Sequence, residues 1–493
     1  MNFNPEKSGS HIRRTKIIAT LGPATDDPQV LEDMILAGAT VFRLNMSHGG
    51  ADEQRARARL VREVSSRLGR EVALLADLQG PKIRVERFQG GSVQLSKGDP
   101  FTLDADDAVT PGDRQRVGVS YTDLPRDVEP GDTLLLDDGL ISMRVESVEG
   151  GKVHCRVEHG GVLRDRKGLN LKGGGLSISG LAEHDLPHID LAAEMGVDYL
   201  AVSFVSDERD INRARKLLRK AGSEAALVAK IERVDAVSNL EEICDASDVI
   251  MVARGDLGVE IGDEELPGLQ KRIIRTAIKH NRVVATATQM MQSMVENPIP
   301  TRAEVLDVAN AIIDGSDAVM LSAETAVGKH PVRVIEAMNR ICLGAERHVE
   351  QEGLVSHLNV RFQRIDQAIA MAAMFMATNV SVQAIIALTE SGSTAQWLSR
   401  VRTAVPIYAF SPNESSRRRM AMLRDVYPVE QEVVSEEETL VVQSALQTLW
   451  RKGLLAAGDR VIVTMGDRMG RSGGTNTLRY VRLDEDGRAF YGV

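Results

Sequence analysis

Lys230 and Glu232 in KIE (230–232), with Asp256 in ARGDLGVE (253–260), are the residues of this chain best suited to holding a divalent cation and a phosphorylated anion together. Glu232 and Asp256 at neighbouring strand ends would suit a hard cation. Magnesium takes one or two protein carboxylates and completes its shell with water and substrate oxygens. Lys230 and Arg43 add positive charge where the anion would bind, and Gly255 beside Asp256 allows backbone N–H groups close to a ligand. A lone Lys-x-Glu is as readily a solvated salt bridge. Recurrence of charged pairs at strand ends turns the reading toward chemistry. Thr286 and Thr288 in ATATQM fit either a site or ordinary strand threonines. Thr301 and Glu304 read as a helix capping box, and His48 as a residue that caps or packs. No serine–histidine–acid arrangement and no GxxxxGK[ST] phosphate loop is present, so any nucleotide must be held another way.

The elements that must position these groups are eight short apolar runs: TKIIATLG (15–22), TVFRLNM (40–46), VALLADLQ (72–79), YLAVSFV (199–205), ALVAKIE (226–232), DVIMVAR (248–254), VVATATQM (283–290) and AVMLSAE (318–324). Side chains alternate faces along a strand. Arg43, Asn45 and Ser47 are therefore expected on one face, as are Lys230 with Glu232 and Arg254 with Asp256. Helix-like stretches such as ERDINRARKLLRK (208–220) separate most runs, which predicts a (β/α)8 TIM barrel with its chemistry at the carboxyl ends of the strands. The gap between the third and fourth runs reads as short strands and turns. It predicts a small β-barrel lid domain over the catalytic face, with KGGG (172–175) as its return. Strands alternating with helices after about 351 predict a separate C-terminal α/β domain. The expected division is barrel over 1–81 and 181–350, lid over 82–180, and C-terminal regulatory domain over 351–493.

A chain of 493 residues, 43% hydrophobic and 26% charged, has the composition of a folded protein with a large core. Its net charge of −10 with no basic tract argues against nucleic-acid binding. No run approaches the length of a membrane span, the first residues do not resemble a signal sequence, and Cys155, Cys244 and Cys342 are isolated. A cytoplasmic protein is expected, with no membrane or nucleic-acid partner.

The motifs resemble those of pyruvate kinase. ATLGPAT (19–25), RLNMSHGG (43–50), DLQGPKIR (77–84), KGLNL (167–171), AKIERVDA (229–236), MVARGDLGVE (251–260), ATQMMQSM (287–294), PTRAEVLDVANA (300–311) and DAVMLSAETA (317–326) occur in family order. The resemblance implies phosphoryl transfer from phosphoenolpyruvate to ADP, giving pyruvate and ATP, and a homotetramer. It implies that Glu232 and Asp256 hold Mg2+, that Lys230 neutralises the phosphoryl group and the enolate, and that Arg43 and Arg84 position phosphates. Gly255 would lie at the substrate, Thr288 beside the enolate, and Ser322 and Glu324 in the water network that supplies its proton. Thr20, Pro23, Asn45, His48 and Lys167 match nucleotide-side positions. Two readings compete with the enzyme: an idle metabolite sensor on the same fold, and another magnesium barrel acting on phosphoenolpyruvate or a 2-oxo acid. Lys230, Glu232 and Asp256 weigh against the first, and the two extra domains against the second.

One motif departs from the family. Many pyruvate kinases read Asp-Thr-Lys-Gly-Pro-Glu where this chain has Asp77-Leu78-Gln79-Gly80-Pro81-Lys82, and bind potassium there. Lys82 is expected to replace that ion, with Asn45, Ser47 and Asp77 as polar neighbours, so that K+ is not required. LTESGSTA (388–395) is expected to bind a phosphorylated effector through Thr389, Ser391, Gly392, Ser393 and Thr394, with Arg468 and Arg471 closing over it. Glu390, where a lysine commonly stands in members activated by a bisphosphorylated sugar, points to a sugar or nucleotide monophosphate.

Overall fold

The computed structural model describes residues 12–107, 109–348, 362, 364–433, 435, 437–466 and 474–490. The eight apolar runs form eight parallel strands closed into a barrel: Lys16–Thr20, Val41–Asn45, Ala73–Asp77, Tyr199–Val202, Ala226–Ile231, Val249–Ala253, Val283–Ala287 and Ala318–Leu321. The third strand pairs with the fourth, Leu75 opposite Tyr199, although the lid intervenes in sequence. Six of the strands are buried along their whole length. The pattern opens at Arg43 and Asn45 in the second strand and at Lys230 near the end of the fifth. Exposure alone does not mark the site, because Asp77 at the end of the third strand lines the cleft while buried.

Side-chain caps start three of the barrel helices. Asp27 caps the first at Gln29 N, Asp207 caps Glu208–Lys220 at Arg209 N, and Thr301 with Glu304 forms the capping box of Arg302–Asp314. One expectation fails here. The sixth strand ends at Ala253, and Arg254–Ile261 is a helix. Residues two apart on a helix point to nearly opposite sides, so Arg254 and Asp256 do not share a face. Arg254 turns away to Asp307, at 2.6 and 2.8 Å.

At the floor, Asp198, Asp248 and Asp317 each precede an even-numbered strand. Each carboxylate accepts a backbone N–H of the preceding odd strand: Leu74, Leu227 and Val284, all at 2.8 Å. Between the third and fourth strands, a six-stranded sheet and the two-stranded ribbon Ser92–Leu95 with Gly161–Arg164 enclose a core of their own that includes Phe101, Leu134 and Met143. The return runs through Gly173, Gly174 and Gly175, at φ of 91, 79 and 103°, where a side chain would be strained.

The last unit is a six-stranded sheet. Its strands Val426–Glu430, Ile407–Ser411, Ala384–Leu388 and Arg460–Met465 run parallel, and Thr477–Leu483 and Ala489–Phe490 are antiparallel. Its apolar face packs on the barrel floor, so that Ile18, Val41 and Met251 share one core with Ile385, Leu398 and Ile407.

Candidate active site

A cleft of about 250 Å3 opens at the carboxyl ends of the strands, where it meets the lid. Its lining includes Arg43, Asn45, Ser47, His48, Asp77, Lys82, Arg84, Lys230, Glu232 and Asp256. Lys230 is at its centre. The ammonium donates to Ser203 Oγ at 2.7 Å and lies 2.9 Å from Glu232 Oε1 and 3.3 Å from Asp77 Oδ1. Arg43 Nε holds the other Asp77 oxygen at 2.6 Å, and Arg43 also reaches Thr20 Oγ1 at 3.2 Å. Burial alone would push the Asp77 carboxyl up, but Lys230 and Arg43 outweigh it and hold it below the usual carboxylate range. Burial likewise opposes the Lys230 charge, and Asp77 and Glu232 reverse that, raising it above an ordinary lysine.

Glu232 has the opposite balance. Burial dominates, Lys230 opposes it, and nearby Asp256 adds like charge, so its carboxyl is raised. Its second oxygen accepts the N–H of Phe204 at 2.7 Å, and Phe204 sits at a left-handed φ of 53°. Two neighbouring carboxylates, one disfavoured as a bare anion, are a donor set that a divalent cation would satisfy. Among the described residues no group of three or more His, Cys, Asp or Glu could hold a metal alone. The set therefore fits an ion that relies on substrate oxygens and water.

Lys82 meets Asp256 Oδ1 at 2.7 Å and does not contact Asp77, whose oxygens are taken by Arg43 and Lys230. Arg84 bonds the Arg166 carbonyl at 3.0 Å, and Lys167 pairs with Asp137 at 2.7 Å within the lid. Pro23 and His48 are exposed, Ser47 N–H bonds Asn45 Oδ1, and Thr20 ties the first strand to Leu321 O and Thr325.

Gly255, Thr288 and Ser322 are not among the residues that line this cleft. Gly255 N–H is occupied by Thr288 Oγ1 at 2.9 Å, and that hydroxyl donates to Ala287 O. Thr288 has φ of 70°, a costly conformation for a β-branched residue and one that concentrates at functional sites. Glu324 is buried and accepts the N–H groups of Ser322 at 2.7 Å and Met291 at 3.1 Å, tying the last two strand ends together. Thr286 is fully buried against Ser316, which is a structural role.

Ser203 and Phe204 were missed as site residues. The signal was present: SFV ends the fourth run at the same strand-end position as the charged residues of the others. In the C-terminal unit, Thr389 Oγ1 accepts Gly392 N–H at 3.1 Å, Gly392 has φ of 85°, and Thr394 meets Thr475 at 2.6 Å. Ser391 and Ser393 lie on the same turn, while Arg468 and Arg471 lie outside the described residues.

Two family models match the chain: the pyruvate kinase barrel domain over residues 12–335 and the pyruvate kinase alpha/beta domain over 367–481. The chain belongs to the pyruvate kinase family. It is 51% identical over 477 residues to pyruvate kinase II of Salmonella typhimurium, covering 96% of this chain and 99% of the relative. It is 48% identical over 459 residues to the pyruvate kinase of Haemophilus influenzae, covering 92% and 96%. A crystal structure of a Cryptosporidium parvum pyruvate kinase superposes with a TM-score of 0.90 at 32% identity, over 95% of this chain and 96% of that one. The barrel, lid and mixed C-terminal sheet are therefore those of a pyruvate kinase, and the activity is that of the family: a glycolytic phosphotransferase. Among the described residues no helix is long and apolar enough to cross a membrane.

Proposed function

We propose that this pyruvate kinase moves the phosphoryl group of phosphoenolpyruvate to ADP in the cleft at Lys230, with Mg2+ as the required metal and without potassium. The observation that carries the reading is the clamping of Lys230 by Ser203, Asp77 and Glu232, which fixes a charged ammonium beside the two candidate metal carboxylates. Glu232 and Asp256 would hold the metal, which supplies Lewis-acid polarisation of phosphate and carboxylate oxygens when bound. Lys230 offsets charge on the phosphoryl group in flight and on the enolate left behind. Arg43, fixed by Asp77 and Thr20, orients phosphate oxygens from the far side. Thr288 lies at the enolate face, with Gly255 and Ser322 shaping the wall behind it. Arg84, Lys167, Asn45, His48, Thr20 and Pro23 form the nucleotide side beneath the lid. Little covalent work falls to the protein; placement and electrostatics carry the rate.

Lys82, Leu78 and Asp77 together support potassium independence. Leu78 offers no hydroxyl, both Asp77 oxygens already face cations, and an ammonium stands in the cleft. We further infer a homotetramer, in which the loop Thr389–Thr394 binds a sugar or nucleotide monophosphate. One coupled assay of pyruvate formation tests these points. Turnover with Mg2+ and tetramethylammonium as the sole monovalent cation should match that with potassium. A panel of monophosphates should activate the enzyme, and Ser391→Asp should lose that activation. A strict potassium requirement would overturn the role of Lys82, undiminished activation of Ser391→Asp would remove the loop from effector binding, and absence of pyruvate would favour the idle sensor.

A further inference from the structure

The two candidate metal carboxylates each carry an ammonium partner, and the two lysines are held differently. Lys230 lies 2.9 Å from Glu232 and is fixed by two further groups, Ser203 Oγ at 2.7 Å and Asp77 at 3.3 Å, with its side chain 12% exposed. Lys82 lies 2.7 Å from Asp256, its one ion pair among the described residues, and its side chain is 24% exposed. The Lys82 stem passes Gly168, where an added Cβ would lie 3.2 Å from Lys82 Cε. Gly168 immediately precedes the lid strand Leu169–Leu171, and Lys82 itself follows the third barrel strand on the way into the lid.

We propose that Lys82 is an internal counter-ion of the metal site, occupying Asp256 until a divalent cation displaces it. The inference rests on the assignment of Glu232 and Asp256 to the metal. Asp256 is the one ion-pair partner that holds Lys82 among the described residues, so a dication that takes this carboxylate repels the ammonium at close range and expels it. Lys230 cannot leave in the same way, because three groups hold it in the wall. The freed ammonium has four carbons of reach and three donors, and it moves toward the lid side of the cleft, where the anionic substrates enter. The free enzyme consequently binds metal more weakly than its two carboxylates alone would. Lys82 is a positioning residue in this account: it sets the metal affinity and is delivered to the substrate side by metal loading.

Binding of Mn2+ to the free full-length enzyme, followed by the paramagnetic resonance of the unbound ion, reads this without turnover. Lys82→Met should tighten Mn2+ binding by roughly three- to tenfold, the range expected for losing a partly buried competing pair, and Lys82→Arg should return it toward the parent value. Loss of any nearby cation raises metal affinity through the general field. Arg84→Met is therefore the control, because Arg84 lines the same cleft but bonds the Arg166 carbonyl. It should change the affinity by less than about twofold. Equal tightening in both variants would reduce Lys82 to net charge and overturn the proposal. Unchanged binding in a folded Lys82→Met would overturn it too, and Lys82→Gln repeats the measurement should the methionine variant fold poorly. Asp256→Asn separates the two levels. Its loss of Mn2+ binding supports the metal assignment, whereas retained affinity sinks that assignment and the counter-ion with it.

Discussion

Lys230 is charged because two buried carboxylates outweigh its desolvation, and it shares their support with Arg43 at Asp77 and the Phe204 N–H at Glu232. The consequence is a group whose removal acts on rate far more than on shape. In Lys230→Met, Arg43 still pairs with Asp77 and Phe204 N–H still bonds Glu232, so the barrel should fold, with a lowered melting temperature. Loss of a charge aimed at a transition state in a water-excluded site typically costs about a hundred- to a thousandfold in turnover. A coupled assay alongside circular dichroism checks this, and near-normal turnover would remove Lys230 from the chemistry. At this scale the sequence was legible where period-two spacing held to the strand's end: Arg43, Asn45, Lys230 and Glu232 all line the cleft. It was not legible at Arg254, because nothing local announces that the strand gives way to a helix one residue earlier. It was not legible at Lys82 either, since its partner Asp256 is 174 residues away.

Among the elements, the eight barrel strands and their order could be read from apolar runs, whereas what locks them could not. VDYLAV, SDVIMV and SDAVML each place an aspartate just before a strand. Its meaning appears only when the neighbouring strand is in place to donate its N–H. Asp317 adds a further link, for it receives Arg400 from the C-terminal unit at 2.5 and 3.0 Å, with side chains 3% and 6% exposed. Arg400 follows the helix Ser393–Ser399, which starts at the loop proposed to bind the effector. Asp317 in turn holds the seventh strand, which leads to Thr288. Breaking a buried pair by removing one partner strands the other charge and costs about 3–5 kcal/mol. Arg400→Met should lose stability of that order in denaturant unfolding, and adding Asp317→Asn should recover part of it, because the stranded charge is gone. A loss below about 0.5 kcal/mol, typical of a surface substitution, would show that this junction is held by its apolar core alone.

Across the whole molecule, the seam between barrel and C-terminal sheet buries ionisable groups that the catalytic cleft does not use. Asp425 is 3% exposed, and among the described residues neither of its carboxylate oxygens has a hydrogen-bond partner. Arg424 and Arg14 approach only to 3.6 and 3.8 Å. Lys16 donates to Val426 O at 2.6 Å, and Glu346 holds the backbone N–H of Thr15. Burial pushes Asp425 up to about 6, with Arg424, Arg14 and Lys16 opposing and Glu346 assisting. Burial also brings Lys16 down to about 7, with Arg13 acting in the same direction against Asp425, Glu346 and Asp317. The two shifts act on stability in opposite senses. An acid raised on folding binds its proton more tightly in the native state. Its contribution is complete below the unfolded value near 3.8 and is lost as pH rises through about 6. An amine lowered on folding contributes fully above its unfolded value near 10.5, and that contribution is lost as pH falls through about 7. Asp425→Asn removes the first effect and, by taking away a charge that supports Lys16, deepens the second in the same direction, in favour of the variant as pH rises. The difference in melting temperature between Asp425→Asn and the parent should therefore shift in favour of the variant as pH rises from about 4 to about 6. Thermal unfolding across this window checks it. A difference that stays flat from acid to neutral pH would mean that Asp425 is ionised throughout and that the seam stabilises it better than the arginine distances suggest.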